Sequence, residues 1–205
     1  MVSRRERRTP QQTRSRETVE RIVGAGRTVL LERGWDGATT NHIAAAAGVS
    51  PGSLYQYFPD KEAVLDEVVD REIRHLEARI SRAFVETLRA PGGDVVRRNV
   101  EALLDAFGEQ PAMTRILVDQ MPRGAGSRRA AFARRVDELV ATVLTTREVP
   151  GRRPDVMAWV LVRAVEQVTI GWVLEDPLLD RADLVEELTL LVTRYLEGSP
   201  GAGPL

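Results

Sequence analysis

Two hydroxyls and two phenols fall within eight residues of this chain. Ser50, Ser53, Tyr55 and Tyr57 lie in the stretch "GVSPGSLYQYF", Gly48 to Phe58, of a protein that has only three tyrosines in 205 residues. Neutral O–H groups of this kind donate to and accept from phosphates, amides and base edges. To act as nucleophiles they would need a base beside them, and none is indicated. His75 stands among Arg74 and Glu77 with no nucleophile next to it. His42 has no second His, Asp or Glu at a metal-ligand spacing. The absence of cysteine removes disulfides and cysteine zinc sites. The acidic pairs Asp66-Glu67 and Glu186-Glu187 read as charged helix faces, and no glycine-rich phosphate loop follows a strand. The chemistry expected is binding, without catalysis, metal or cofactor.

Those groups must be held by the elements around them. Gly48 suits the left-handed residue that ends a helix. Ser50 is a good N-cap, and Pro51 fits the first helical position, where a missing N–H costs nothing. The spacing predicts a short helix over about 40–47, a tight turn, and a second over about 51–57 that ends before Pro59. A longer helix precedes them over 14–33, with Val19, Ile22, Val23, Val29 and Leu30 at helical spacing and Gly34 as its stop. Gly24 and Gly26 weaken that helix and suggest close packing. Asp60 caps a helix over 61–89. Others are expected near 94–108, 111–121, 128–148, 154–175 and 181–197, with no alternating strand pattern. The fold class is all-α. A basic arm (1–13) precedes a three-helix domain (14–60), a helical domain of about six helices (61–197) and a tail (198–205).

Two short helices in a tight turn behind a longer one form a helix-turn-helix, whose second helix enters the DNA major groove. Ser50, Pro51, Gly52 and Ser53 are small enough to let the helix start approach bases and phosphates. Tyr55 and Tyr57 stand about 200° apart on a helix, so one phenol can reach a phosphate while the other side chain packs. Leu54 and Phe58 share the inward face with Ile43, Ala47 and Val49. Charge agrees: up to Lys61 there are ten basic against six acidic residues, although the whole chain has net charge −1. The alternatives are a plain helical hairpin whose aromatics are all core, and a merely solvated basic surface.

The stretch "TTNHIAAAAGVSPGSLYQYFPDKEAVL", Thr39 to Leu65, with the "GWDGATT" loop before it, resembles the DNA-binding domain of the TetR family of bacterial transcriptional regulators. Beyond this first third, only helix number and layout match. The resemblance implies that Thr39 or Thr40 holds a phosphate and that Asn41 lies near base edges. Ser50, Pro51, Gly52 and Ser53 would face the major groove, and Tyr55 would donate to a phosphate. Lys61, the single lysine of the chain, would contact the backbone at the start of the next helix. Tyr57 completes the candidate DNA surface. His42 is either a DNA contact or an exposed helix residue.

The acidic remainder has its own pattern. Val156 to Leu174 is apolar almost all round, but Arg163, Glu166 and Gln167 interrupt it, so it reads as a buried core helix and not a membrane span. Leu184, Leu188, Leu191 and Tyr195 form a stripe on the last helix, and with Val165 they are the candidate dimer interface. A four-helix bundle between two copies would cover this surface, as in TetR-like proteins; the alternative is a purely intrachain core. Phe84, Phe107, Met113, Phe132, Trp159 and Trp172 are candidate pocket residues, or else ordinary core. The N-terminus lacks an apolar leader, so a cytoplasmic protein is expected. Taken with these features, the resemblance to the TetR family implies a dimer on palindromic operator DNA, a repressor released by an unknown small molecule. The competing reading is a helical dimer that acts through protein contacts without specific DNA binding.

Overall fold

The computed structural model describes residues 10–89, 94–120, 128–145, 152–175 and 178–197. Among these residues are nine α-helices and no strand. They are α1 (Pro10–Gly37), α2 (Thr40–Ala47), α3 (Pro51–Tyr55), α4 (Lys61–Arg89), α5 (Val95–Gly108), α6 (Pro111–Gln120), α7 (Arg128–Thr145), α8 (Pro154–Glu175) and α9 (Arg181–Glu197). The all-α expectation holds. The arm up to residue 9, the break at 90–93, the start at Ser127, the stop at Gly151 and the tail from Gly198 lie outside the described residues. The chain divides into two compact units, Met1–Glu72 and Ile73–Leu205, so the division falls inside α4.

In the first unit, α1 begins at Pro10, earlier than the expected Arg14. Proline at a first helical position is the local signal for that start. Gly34, at φ 68° and ψ −179°, breaks α1 where the stop was expected, and one further helical turn follows it. Ile22, Val23, Val29 and Leu30 on α1 are buried with Ile43, Leu54, Val64, Leu65 and Val68. Each large apolar side chain so buried contributes about 1.5–3 kcal/mol. The beginning of α4 belongs to this core because α1 lies close against it. A Cβ on Gly26 would stand 2.8 Å from Cγ1 of Val64 and 3.3 Å from Cγ2 of Val68. Polar links run along the same two helices: Arg27 Nε donates to Glu72 at 2.6 Å, and Arg71 pairs with both Glu20 and Glu67.

In the second unit, α5, α7, α8 and α9 share one core, in which Val100, Leu104, Leu144, Met157, Leu161, Val165, Leu184 and Leu188 are buried. α5 packs against both α8 and α9, and α7 packs along α8. The two last helices therefore each pack on α5. Polar side chains close the ends. Thr114 Oγ1 donates to the Phe107 carbonyl at 2.7 Å, Arg115 Nη2 to the Leu174 carbonyl at 2.6 Å, and Arg181 Nη2 to Asp105 at 2.6 Å.

The two α1 glycines differ in their surroundings, and this yields a paired test. Nothing lies within 4 Å of a Cβ at Gly24, so Gly24→Ala should raise stability by about 0.5–1 kcal/mol through helix propensity. Gly26→Ala should lower it by about 1–3 kcal/mol through overpacking. Urea unfolding of both variants checks this. If the two substitutions stabilise alike, the α1–α4 approach is looser than described.

Candidate nucleic-acid interface and apolar cavity

The helix-turn-helix is assembled by local hydrogen bonds. Thr39 is the N-cap of α2, its Oγ1 accepting from the His42 N–H at 3.2 Å. Gly48 takes φ 63° and ψ 37°. Its N–H donates to the Ala45 carbonyl at 3.1 Å and that of Val49 to Ala44 at 3.0 Å, the two bonds of a Schellman ending. Arg21 reaches over from α1 and donates to the carbonyls of Ala47 and Gly48 at 3.1 and 3.3 Å. Ser50 caps α3, accepting from the Ser53 N–H at 3.1 Å, and the two serine hydroxyls are 2.9 Å apart. α3 ends at Tyr55, short of the expected Tyr57. The N–H groups of Tyr57 and Phe58 both donate to the Leu54 carbonyl, closing the helix as a turn.

Leu54, Ile43 and Ala44 face the core, while Phe58, Ala47 and Val49 are half-buried. On the solvent side Thr39, Asn41, Ser50, Pro51 and Gly52 are exposed, and Tyr55 is 56% exposed. Thr40, Ser53, Tyr57 and Lys61 are half-buried. Tyr55 thus has the free phenol of the pair. Lys61 Nζ donates to the Trp35 carbonyl at 3.2 Å and stands 3.9 Å from Glu62. An ammonium has three donors, so this anchoring fixes the side chain without using up its charge. His42 is half-buried, with Nδ1 buried and unpartnered. The basic residues separate into two sets that sequence reasoning did not distinguish. Arg21 and Arg27 are occupied by carbonyls and Glu72, whereas Arg14, Arg16 and Arg33 are exposed and without an ion pair among the described residues.

A cavity of about 210 Å³ lies within the second unit, between segments of α4, α5, α7, α8 and α9. Of the six candidate pocket aromatics and methionine, Phe84, Phe107 and Phe132 line it. The other three do not. Met113 is buried in α6, Trp159 is 56% exposed, and Trp172 donates from Nε1 to the Leu179 carbonyl at 3.0 Å. Arg163 and Glu166 bring charge to the wall. Arg163 pairs with Asp137 at 3.0 Å, and burial pushes the Asp137 carboxyl above the usual range despite that partner.

The stripe expected at a dimer interface is divided by the structure. Val165, Leu184 and Leu188 are buried in the chain's own core, and Tyr195 is half-buried under the Arg152 guanidinium, 4.0 Å from its ring centre. Leu191 is different, being 51% exposed. Exposed with it on α9 is Leu190, and on α8 Val156, Trp159, Val160 and Val168. Among the described residues no cluster of three or more His, Cys, Asp or Glu could hold a metal. α8 is long and apolar enough to cross a membrane by length and composition, but one side of it fills this core.

Comparison with known proteins agrees with this layout. Residues 22–68 match the family model of bacterial regulatory proteins of the tetR family, and residues 93–196 match that of the tetracyclin repressor-like C-terminal domain. The HTH-type transcriptional regulator EthR of Mycolicibacterium smegmatis is 31% identical over 94 residues, 46% of this chain and 43% of EthR, so the match spans less than half of that relative. Among solved structures, the fatty acid degradation regulator FadR from Bacillus halodurans superposes with a TM-score of 0.62 at 18% identity, over 95% of this chain and 99% of that one. FadR from Bacillus subtilis in complex with stearoyl-CoA gives 0.60 at 17% identity, over 84% and 96%. At such identities these two likenesses speak for the fold alone. The sequence matches cover both the capped helix-turn-helix and the helical body, and the chain belongs to the TetR family of bacterial transcriptional regulators.

Proposed function

We propose that the protein is one half of a two-fold dimer that represses transcription from a palindromic operator until a small molecule binds its second unit. The observation that carries this reading is the solvent side of α3: Ser50, Pro51 and Gly52 exposed at its start and the phenol of Tyr55 exposed at its end, on a helix anchored by the fully buried Leu54. A rigid short helix with small residues leading suits insertion into the major groove, with Ser53 beside the base edges and Tyr55 on a phosphate. Thr39, Thr40, Asn41 and Lys61 would contact the flanking backbone and bases, and the unpaired Arg14, Arg16 and Arg33 would supply a long-range field. Tyr57, half-buried, would support α3 more than it touches DNA. The protein would work in the cytoplasm, where the DNA is.

Dimerisation would use the exposed apolar residues of α8 and α9, led by Trp159, Val168, Leu190 and Leu191. Two copies of such a surface bury each other in a four-helix arrangement. The effector would occupy the cavity lined by Phe84, Phe107 and Phe132. The stearoyl-CoA bound by the Bacillus subtilis relative, an acyl chain on a charged headgroup, supports an effector with an apolar part. Effector and operator would be linked reciprocally, a tenfold loss of DNA affinity corresponding to about 1.4 kcal/mol of coupling.

DNA flanking the gene, searched for an inverted repeat and used in a gel shift, tests the reading directly. Binding should weaken steeply with added salt. Tyr55→Phe should lower affinity for all sequences by about 1 kcal/mol, roughly fivefold, whereas Ser53 substitutions should change sequence preference. Equal affinity of wild type and Tyr55→Phe across the salt range would remove Tyr55 from the interface; no salt-dependent binding to any DNA would sink the repressor reading.

The dimer is tested by two leucines of the same helix. Leu191→Glu, on the exposed side, should give a monomer with intact helical circular dichroism in sedimentation velocity. Leu188→Glu, in the core, should lose the fold, because a buried unpaired carboxylate has no compensating partner. A Leu191→Glu protein that remains dimeric with undiminished affinity would place the interface elsewhere.

A further inference from the structure

The unit-two cavity is long for its volume. Along α5 its wall runs from Val95 to Phe107, and along α7 from Phe132 to Leu144, twelve residues in each case. At a rise of about 1.5 Å per residue, each stretch measures about 18 Å. A compact cavity of about 210 Å³ would be no more than about 10 Å across. The volume is therefore drawn out along the two helices as a slot, narrower than a rounded cavity would be. Segments of α4, α8 and α9 close its remaining sides, mostly with apolar side chains.

Charge does not choose the ligand of this slot. Arg163 and Glu166 both reach the wall, and Arg163 pairs with Asp137 at 3.0 Å. Arg163 Nη1 and Asp137 Oδ1 are each buried without a hydrogen-bond partner. The first calls for an acceptor and the second for a donor, so a head group of either sign finds a counterpart in the cluster. What discriminates is the shape of the apolar part. An extended alkyl chain is about 4 Å thick. It advances about 1.2 Å per bond, as the extended main chain does over its three bonds per residue, so about fifteen bonds span the slot. A cage or fused ring of equal carbon number is wider and shorter. It would crowd the side walls and leave the ends of the slot empty.

We infer that the ligand of this cavity is built on a single unbranched alkyl chain of about ten to fifteen carbons, lying along α5 and α7. This rests on the reading of the cavity as the effector site, and the test separates the two. Full-length protein is titrated calorimetrically at pH 7.5, below the micelle concentration of each ligand, with n-alkanoates and n-alkylamines of six to sixteen carbons. The control is 1-adamantaneacetate, which has the twelve carbons and the carboxylate of dodecanoate in a cage. In both series affinity should rise about fourfold per methylene and stop rising between about ten and fifteen carbons. Dodecanoate should bind at least tenfold tighter than the cage. Ala133→Phe fills one end of the α7 wall and Val143→Phe the other. Either variant, if its helical circular dichroism is intact, should move the stop to chains about three to five carbons shorter. A cage that binds as tightly as dodecanoate and is lost on filling overturns the chain class while the cavity reading stands. A length series that neither folded variant alters, or no binding by any chain, overturns the proposal, and the former overturns the cavity reading with it. Chains that bind and are cut short by filling, yet leave the gel-shifted DNA in place, support the chain class and overturn the effector reading.

Discussion

Two helices of the first unit meet at a point where a side chain would crowd its neighbours. The approach of α1 to α4 at Gly26 brings the valines at positions 64 and 68 onto the α1 backbone, and the other features of that unit follow from it. Lys61 reaches the Trp35 carbonyl, Arg27 reaches Glu72 and Arg71 reaches Glu20 only because the two helices run this close. α2 packs on α1 and is held at its end by Arg21. α3, too short to be stable by itself, borrows its position from Leu54 in the same core.

The second unit solves a different problem. α8 is apolar on nearly every side, so any single packing leaves part of it uncovered. One side joins the core with α5, α7 and α9; the other carries Val156, Trp159, Val160 and Val168 into solvent in the isolated chain. Arg163 stands where these surroundings meet. Its guanidinium is shared between Asp137 and Glu166, and it lies 6.0 Å from the ring centre of Trp159. A change in the cavity and a change at the exposed tryptophan therefore bear on one side chain.

Much of this was legible in the sequence where the signal is local. The turn at Gly48, the caps at Ser50 and Asp60, and the limits of α4, α8 and α9 depend on residues next to one another, and capping chemistry is short-ranged. Helix phase is a matter of tertiary packing. On α9 the leucine stripe was recognised, but the buried arc is centred on Val185, Leu188 and Val192, which leaves Leu191 at its rim. On α8 an almost uniform apolar surface has no period from which to tell the core side, so Trp159 and Trp172 could not be assigned. The charged wall of the cavity was invisible for another reason: Asp137 and Arg163 come from different helices, and their pairing is tertiary.

Lys61 gives the chain a chemical peculiarity. Every other strong base is an arginine, so apart from the α-amino group there is one primary amine to acylate. That amine sits where the end of α1 meets the start of α4, donating to a main-chain carbonyl. Among side chains, amine-directed reagents therefore address one defined joint, and a label or an acetyl group placed there removes the charge and alters the anchoring hydrogen bond in the same step.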